Sequence, residues 1–361
     1  MTQVHQGTPP RIGLPEVDAR LAAFFAERTE QATRYGSEYQ RLWTSAKSAS
    51  DGGKRIRPGF VLSAFDAIGG PGAGIATTAD AIDTAVAFEL LHTAFLLHDD
   101  VIDGDTVRRG RPNVSGEFAR DAVSRGVQPD RAALWGETAA ILAGDLLLHA
   151  AASLVARLDI PSAARTALLD LLDHSIFVTA AGELSDVSFS VRLDEARLPD
   201  VLAMTERKTA AYSFAGPLAA GAILAGASGD VLAALGEYGR LLGIAFQLGD
   251  DLLGVFGRED ATGKSIVSDL REGKETSLIA YARATSAWPR IQQHFGRSDL
   301  DHEAGRRLAA DLEACGARAF VEGLVTEYAD AAVAALAAPG LPAALSDELQ
   351  AVARSCVGRI A

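Results

Sequence analysis

The chain has 361 residues, 48% of them hydrophobic and 22% charged, and carries a formal net charge of −13. That is apolar material enough for a large buried core, while the acidity excludes a general nucleic-acid binder, whose affinity comes from Lys and Arg neutralising phosphates. Two cysteines without CxxC spacing, Cys315 and Cys356, fit neither a disulfide framework nor a zinc site and predict a reducing, cytoplasmic setting.

Residues 1–14 are polar, contain Pro9 and Pro10 and lack the apolar core of a signal peptide, so they read as a flexible tail. Beyond them, apolar residues recur at helical spacing over 15–25, 58–68, 79–102, 138–158, 163–189, 198–225 and 231–256. The pattern continues over 274–284, 306–315, 319–337 and 341–357. No strand or hairpin signal is visible. Breakers fall between the helices: Gly69-Gly70-Pro71-Gly72, a loop holding Gly110, Pro112 and Gly116, a polar loop over 257–273, and Pro339-Gly340 with Pro342. No low-complexity linker divides the chain, so 15–361 reads as one all-α domain, a single large helical bundle. The longest apolar stretches carry charge, as 138–155 carries Asp145, and no uninterrupted run of roughly 18 apolar residues predicts a membrane span.

Two helices end in acid. The first closes on His98-Asp99-Asp100-Val101-Ile102-Asp103 after a very apolar run. Residues four apart share a helix face, so Asp99 and Asp103 point the same way with Asp100 beside them. Like charges at a negative helix C-terminus are unfavourable unless a cation sits there. Carboxylates in this pattern suit Mg²⁺, which binds one or two of them and completes its shell with substrate phosphates and water. The second helix closes on Phe246-Gln247-Leu248-Gly249-Asp250-Asp251. Two such ends facing one another across a cavity would hold several Mg²⁺ ions around one diphosphate. Basic residues supply the anion side: Lys54, Arg55 and Arg57 in a glycine-hinged loop, Arg108-Arg109 and Arg111 after the first cluster, Lys208 within a helix, and Lys264 and Lys274 around the loop after the second cluster. No Ser/His/Asp or Cys/His constellation for nucleophilic catalysis is present.

In the order GGKRIRP, LLHTAFLLHDDVIDGDTVRRGRPN, AGDLLL, ERKTA, FQLGDDLLGVFG and TGKSIVSDLREGKET, these stretches resemble the trans-isoprenyl diphosphate synthases of the polyprenyl synthetase family, most like bacterial geranylgeranyl diphosphate synthases. The resemblance runs from Gly52 to Thr276. It implies an all-α bundle around a central cavity, usually a homodimer, and condensation of an allylic diphosphate (dimethylallyl, geranyl or farnesyl) with isopentenyl diphosphate. Carried over by position, Asp99, Asp103 and Asp250 would coordinate Mg²⁺ on the allylic diphosphate, supported by Asp100 and Asp251. Arg108, Lys208 and Lys264 would hold that diphosphate; Lys54, Arg57, His92 and Arg109 would bind isopentenyl diphosphate. Thr209 and Gln247 would line the reacting centre, and Lys274 would close the loop. Ionisation of the allylic C–O bond needs charge stabilisation on the leaving diphosphate and a dry pocket for the carbocation.

Two positions depart from the pattern. Gly254 stands where the second cluster commonly has a third Asp, and Glu183 stands where the family often has Gln. Product length in the family depends on bulk beneath the first cluster, which involves Leu91, Ala94 and Phe95; with Phe95 as a partial floor and Ala94 leaving room, the expected product is the C20 geranylgeranyl diphosphate, with farnesyl (C15) and C25 or longer products left open. A class I terpene cyclase would instead carry an Asn/Asp-x-x-Ser/Thr-x-x-x-Glu motif, which Asp250 does not begin. A non-catalytic partner subunit would lack the first cluster.

Overall fold

A computed structural model describes residues 14–69, 75–193, 196–257 and 268–359. Residues 1–13 of the expected tail and Lys264 lie outside them, while Leu14, placed at the end of that tail, already begins the first helix. Among the described residues the regular elements are all helices apart from one very short hairpin. It divides into two compact units, one running to Asp170 and including Ala219–Ala227, the other formed by Leu171–Leu218 and Ser228–Ala361. Two of the crossings fall inside helices, which is why no linker marks them in the sequence and 15–361 reads as one domain.

The first unit holds α1 (Leu14–Ala32), α2 (Ser37–Ser50), α3 (Ile56–Ile68), α4 (Thr78–Ile102), the hairpin β1 (Val107–Arg108) and β2 (Arg111–Pro112), α5 (Val114–Ser124), α6 (Pro129–Ala156) and the start of α7 (Ser162–Ser190). A capping box starts α4: the Thr77 hydroxyl accepts from the Asp80 amide at 3.2 Å while Asp80 accepts from the Thr77 amide at 2.8 Å. Phe24, Phe25 and Trp43 meet edge to face at 5.2 to 6.5 Å and bind α1 to α2. The periodicity reading passes over α2, whose sequence SEYQRLWTSAKSAS offers few apolar positions. It also leaves Gly116 in a loop. Gly116 is instead in the first turn of α5, where Asn113 accepts from its amide at 2.8 Å, and its missing Cβ lets the helix lie on the Thr106 carbonyl.

The second unit holds the rest of α7, then α8 (Leu198–Thr205), a π-helical segment (Glu206–Ala215), the start of α9 (Gly216–Leu224), and α10 (Gly229–Phe256). It continues with α11 (Ser268–Glu272), α12 (Ser277–Arg283), α13 (Trp288–Ile291), α14 (His302–Ala314), α15 (Ala317–Ala335) and α16 (Ala343–Gly358). Leu248, Leu252 and Val255 of α10 join Leu278, Ile279, Val321 and Val325 in its core. The Tyr238 hydroxyl, fully buried, donates to the Leu349 carbonyl at 2.7 Å and so fixes α10 to α16.

Periodicity predicts one continuous helix over 198–225, whereas the middle of that stretch winds as π-helix. Close backbone approach from both sides accompanies the widened turn. A Cβ on Gly182 of α7 would overlap the Lys208 amide nitrogen, and one on Gly239 of α10 would come within 2.5 Å of the Ala215 backbone. Three helices, Thr78–Ile102, Pro129–Ala156 and Gly229–Phe256, are long and apolar enough to cross a membrane by length and composition, with 67%, 44% and 56% of their apolar windows buried inside the protein.

Candidate active site

The first acidic cluster closes α4. Asp99 is half-buried, Asp100 is 2% exposed, and Asp103 caps the helix, its amide donating to the Asp99 carbonyl at 2.8 Å. The chain then reverses through Arg109 and Gly110, both at positive φ (53° and 72°), the backbone of a two-residue hairpin turn that the sequence reading did not anticipate because Arg rarely adopts it. The reversal returns Arg108 to the cluster it follows: its guanidinium donates to Asp100 at 2.7 Å and to Asp99 at 3.1 Å. Burial pushes the Asp100 carboxyl up to about 6 against the opposing pull of Arg108.

A basic group surrounds His92, which lies two turns before Asp99 on the same face of α4. Burial holds the His92 imidazole well below its usual range, and the charges of Arg57, Arg108, Arg109 and Arg55 push it further the same way. His92 is therefore a neutral side chain among arginines, as an anion site would have it. Arg109 lies over the Gly52-Gly53 turn and donates to the Asp51 carbonyl at 3.1 Å. Lys54 is exposed beside that turn. Arg55 serves the fold instead. At φ 50° it starts α3, and its guanidinium donates to buried Glu89 at 2.6 Å and to the Ser50 carbonyl at 2.7 Å, tying the basic loop to α4.

The second cluster closes α10 in the other unit. The Thr209 hydroxyl donates to Gln247 at 2.9 Å, and the Gln247 amide donates to Asp251 at 3.0 Å, so three predicted residues form one chain of hydrogen bonds. Burial raises the Asp251 carboxyl to about 7; the Gln247 bond opposes the rise and the charges of Asp269, Asp250 and Asp186 add to it. Asp250 accepts from Arg359 at 2.7 Å. Lys208, from the π-helical segment, places its ammonium 2.6 Å from Asp186 and 3.0 Å from Glu183. Lys274 pairs with Glu272 at 3.3 Å, just before α12.

Residues 41–311 match the family model for polyprenyl synthetase. The chain belongs to the polyprenyl synthetase family. The (2E,6E)-farnesyl diphosphate synthase of Mycobacterium tuberculosis is 33% identical over 98% of this chain and 93% of its own. A short chain isoprenyl diphosphate synthase of Methanothermobacter thermautotrophicus is 39% identical over 64% of this chain and 63% of its own. The crystal structure of geranylgeranyl pyrophosphate synthase from Corynebacterium glutamicum, complexed with isoprenyl diphosphate and magnesium, superposes with a TM-score of 0.89 at 30% identity, covering 97% of this chain and 99% of that one. As a member of this family the protein is a short-chain trans-prenyltransferase.

Polyprenyl synthetases are magnesium enzymes, and the donor chemistry here suits that ion. Among the described residues no group of three or more His, Cys, Asp or Glu side chains is arranged as a ready-made metal site. Mg²⁺ does not require one, since one or two carboxylate oxygens with phosphate and water fill its shell. The third carboxylate that Gly254 removes has a neighbour in its place: a Cβ on Gly254 would overlap Oδ2 of Asp269, from α11. Asp269, Asp186 and Arg359 are site residues that motif reading missed. The first two have weak sequence signals, in TGKSIVSDLREGKET and GELSD, whereas Arg359 has none, being placed only by the packing of α16.

Of the residues tied to product length, Phe95 lies one turn before Asp99 on its face and is half-buried. Leu91 and Ala94 are both fully buried. Ala94, five residues before Asp99, points to the packed side of α4. Phe95 is the member of the three with accessible surface.

Proposed function

We propose that this synthase condenses an allylic diphosphate with isopentenyl diphosphate and releases chiefly geranylgeranyl diphosphate. The observation that carries the reading is the pairing, in each unit, of an acidic helix end with cations suited to phosphate. Asp99 and Asp103, and Asp250 with Asp251 behind it, would hold Mg²⁺, which would supply charge stabilisation for the leaving diphosphate. Arg108, Lys208 and Lys264 hold the allylic diphosphate; Lys54, Arg57, His92 and Arg109 take isopentenyl diphosphate, with neutral His92 offering a hydrogen bond rather than charge. Thr209 and Gln247, already bonded to one another, line the reacting carbons, and Lys274 closes the loop after the second cluster. Purified protein given labelled isopentenyl diphosphate, Mg²⁺ and each allylic primer in turn should yield C20 product; no elongation with any primer would overturn the reading.

The C20 product is favoured by the likeness to the Corynebacterium geranylgeranyl synthase and by Phe95 as a floor one turn below Asp99. In Phe95→Ala the product distribution should shift by at least one C5 unit, read by chromatography of dephosphorylated products. An unchanged distribution places the floor elsewhere.

A homodimer is supported by apolar side chains left at the surface. On α7 and just past its end, Phe177, Leu184 and Val191 are 75%, 73% and 59% exposed at heptad spacing, the seam a partner helix fills. On α6, Leu134, Ile141 and Leu142 are 60%, 44% and 50% exposed. Sedimentation should show dimeric native protein and a monomeric Phe177→Glu/Leu184→Glu variant; an unaltered dimer removes α7 from the interface. The free thiols Cys315 and Cys356 accord with a cytoplasmic setting.

A further inference from the structure

We infer that Glu89 is a positioning residue for the isopentenyl diphosphate site, holding the basic loop in place through Arg55 without touching substrate, a role that rests on the proposed assignment of Lys54, Arg57, His92 and Arg109 to that site. Glu89 lies on α4 one turn before His92 and on the same face. It is 4% exposed, and its Oε1 accepts from the Arg55 guanidinium at 2.6 Å. Its other oxygen, Oε2, is buried and accepts no hydrogen bond among the described residues. A buried carboxylate with one oxygen left over is costly for the fold. Its place under the basic loop is the reason we find for it.

The pair is built into the loop. Arg55 starts α3 at φ 50°, and the Nη1 that reaches Glu89 also donates to the Ser50 carbonyl at 2.7 Å. One guanidinium thus ties the entry of the loop to its exit and to α4. A Cβ on Gly53 would lie 3.2 Å from Oε1 of Glu89 and 3.3 Å from Nη1 of Arg55, so the loop backbone rests on the pair itself. Lys54 and Arg57 flank Arg55 in the chain. Arg109 is seated on the same loop through the Asp51 carbonyl at 3.1 Å. Lys54, Arg57 and Arg109 therefore take their places from the Arg55–Glu89 pair, and His92 shares the helix face of Glu89. Asp18 of α1 also accepts from Arg55, at 2.8 Å, but its side chain is 57% exposed against 5% for Glu89. Solvent screens the Asp18 contact, so the buried carboxylate is the one that sets the guanidinium.

The experiment is initial-rate kinetics of the intact protein in Mg²⁺, each substrate varied with the other saturating. Glu89→Gln keeps the shape and removes the charge. It should raise KM for isopentenyl diphosphate roughly ten-fold, the scale of one hydrogen bond to a charged group, with KM for the allylic diphosphate and kcat little changed. Arg55→Gln should do the same, and the double variant should be no worse than either single, since both break one link. Asp18→Asn is the control and should leave both KM values as they are. Should Glu89→Gln fail to fold, Gly53→Ala presses on the same pair with its charges kept, and should also raise KM for isopentenyl diphosphate and not for the allylic substrate. If the two KM values rise together, or neither moves, Glu89 serves stability only and the inference is overturned. Lys54→Ala tests the site beneath it. If that variant raises KM for isopentenyl diphosphate while Glu89→Gln does not, the positioning role alone falls; if it leaves that KM unchanged, the assignment of the basic loop falls as well.

Discussion

Asp99→Ala and Asp103→Ala should each lower kcat by at least about 100-fold, the scale of losing one preorganised electrostatic group in a water-poor site, while leaving the helical circular dichroism intact. The structure separates these residues from their neighbour. Asp99 and Asp103 lie half-buried on one face at the end of α4, where an ion can reach them, whereas Asp100 is buried against Arg108 at 2.7 Å. Removing Asp99 leaves the Arg108–Asp100 bond in place, so the hairpin stays anchored. Removing Asp100 leaves the Arg108 guanidinium only its longer bond to Asp99, so Asp100→Ala should lose stability as well as activity, by roughly 1–3 kcal/mol. Turnover of the Asp99 or Asp103 variant within a few-fold of native would show that the first cluster does not bind the metal.

The second large effect is expected from a residue with no functional group. Gly182→Ala adds one carbon, and that carbon would overlap the Lys208 backbone, with Arg207 and Lys208 main-chain atoms at 2.8 Å. Backbone cannot rotate aside as a side-chain end can, so α7 or the π-helical segment must move. Overpacking of this kind typically costs about 1–3 kcal/mol. Lys208 and Thr209 move with the segment, and the Thr209–Gln247–Asp251 chain is drawn out of register, so activity should fall by about 100-fold or more. Gly236→Ala on α10 is the control, since nothing lies within 4 Å of its added carbon and the change should be neutral or stabilising. If Gly182→Ala keeps native melting temperature and activity, the close approach does not govern the site.

Long helices such as α4, α7 and α10 were legible because apolar residues recur along them at helical spacing over many turns, and both aspartate clusters were legible because like charges at an apolar helix end demand a reason. Less was visible where the cause is not local. The sequence of α2 is too polar to announce a helix that is stabilised by Trp43 packing on Phe24 and Phe25. The hairpin depends on Arg109 adopting a backbone conformation its type disfavours. The partners of Lys208 and Asp250 come from α7 and from the end of the chain, brought together only by tertiary packing. The glycines that admit the π-helical segment read, in sequence, as weak helix positions rather than as contact points.

The π winding of Glu206–Ala215 also fixes how many residues the segment can have. A π turn contains one residue more than an α turn. Wound instead as ordinary α-helix, the same residues would turn further at every step and would rotate Gly216 and its successors against Thr205 and its predecessors. Local stability would rise while the faces on either side fell out of phase. The segment therefore acts as a phase shifter of set length, in which the chain can change its letters far more freely than their number.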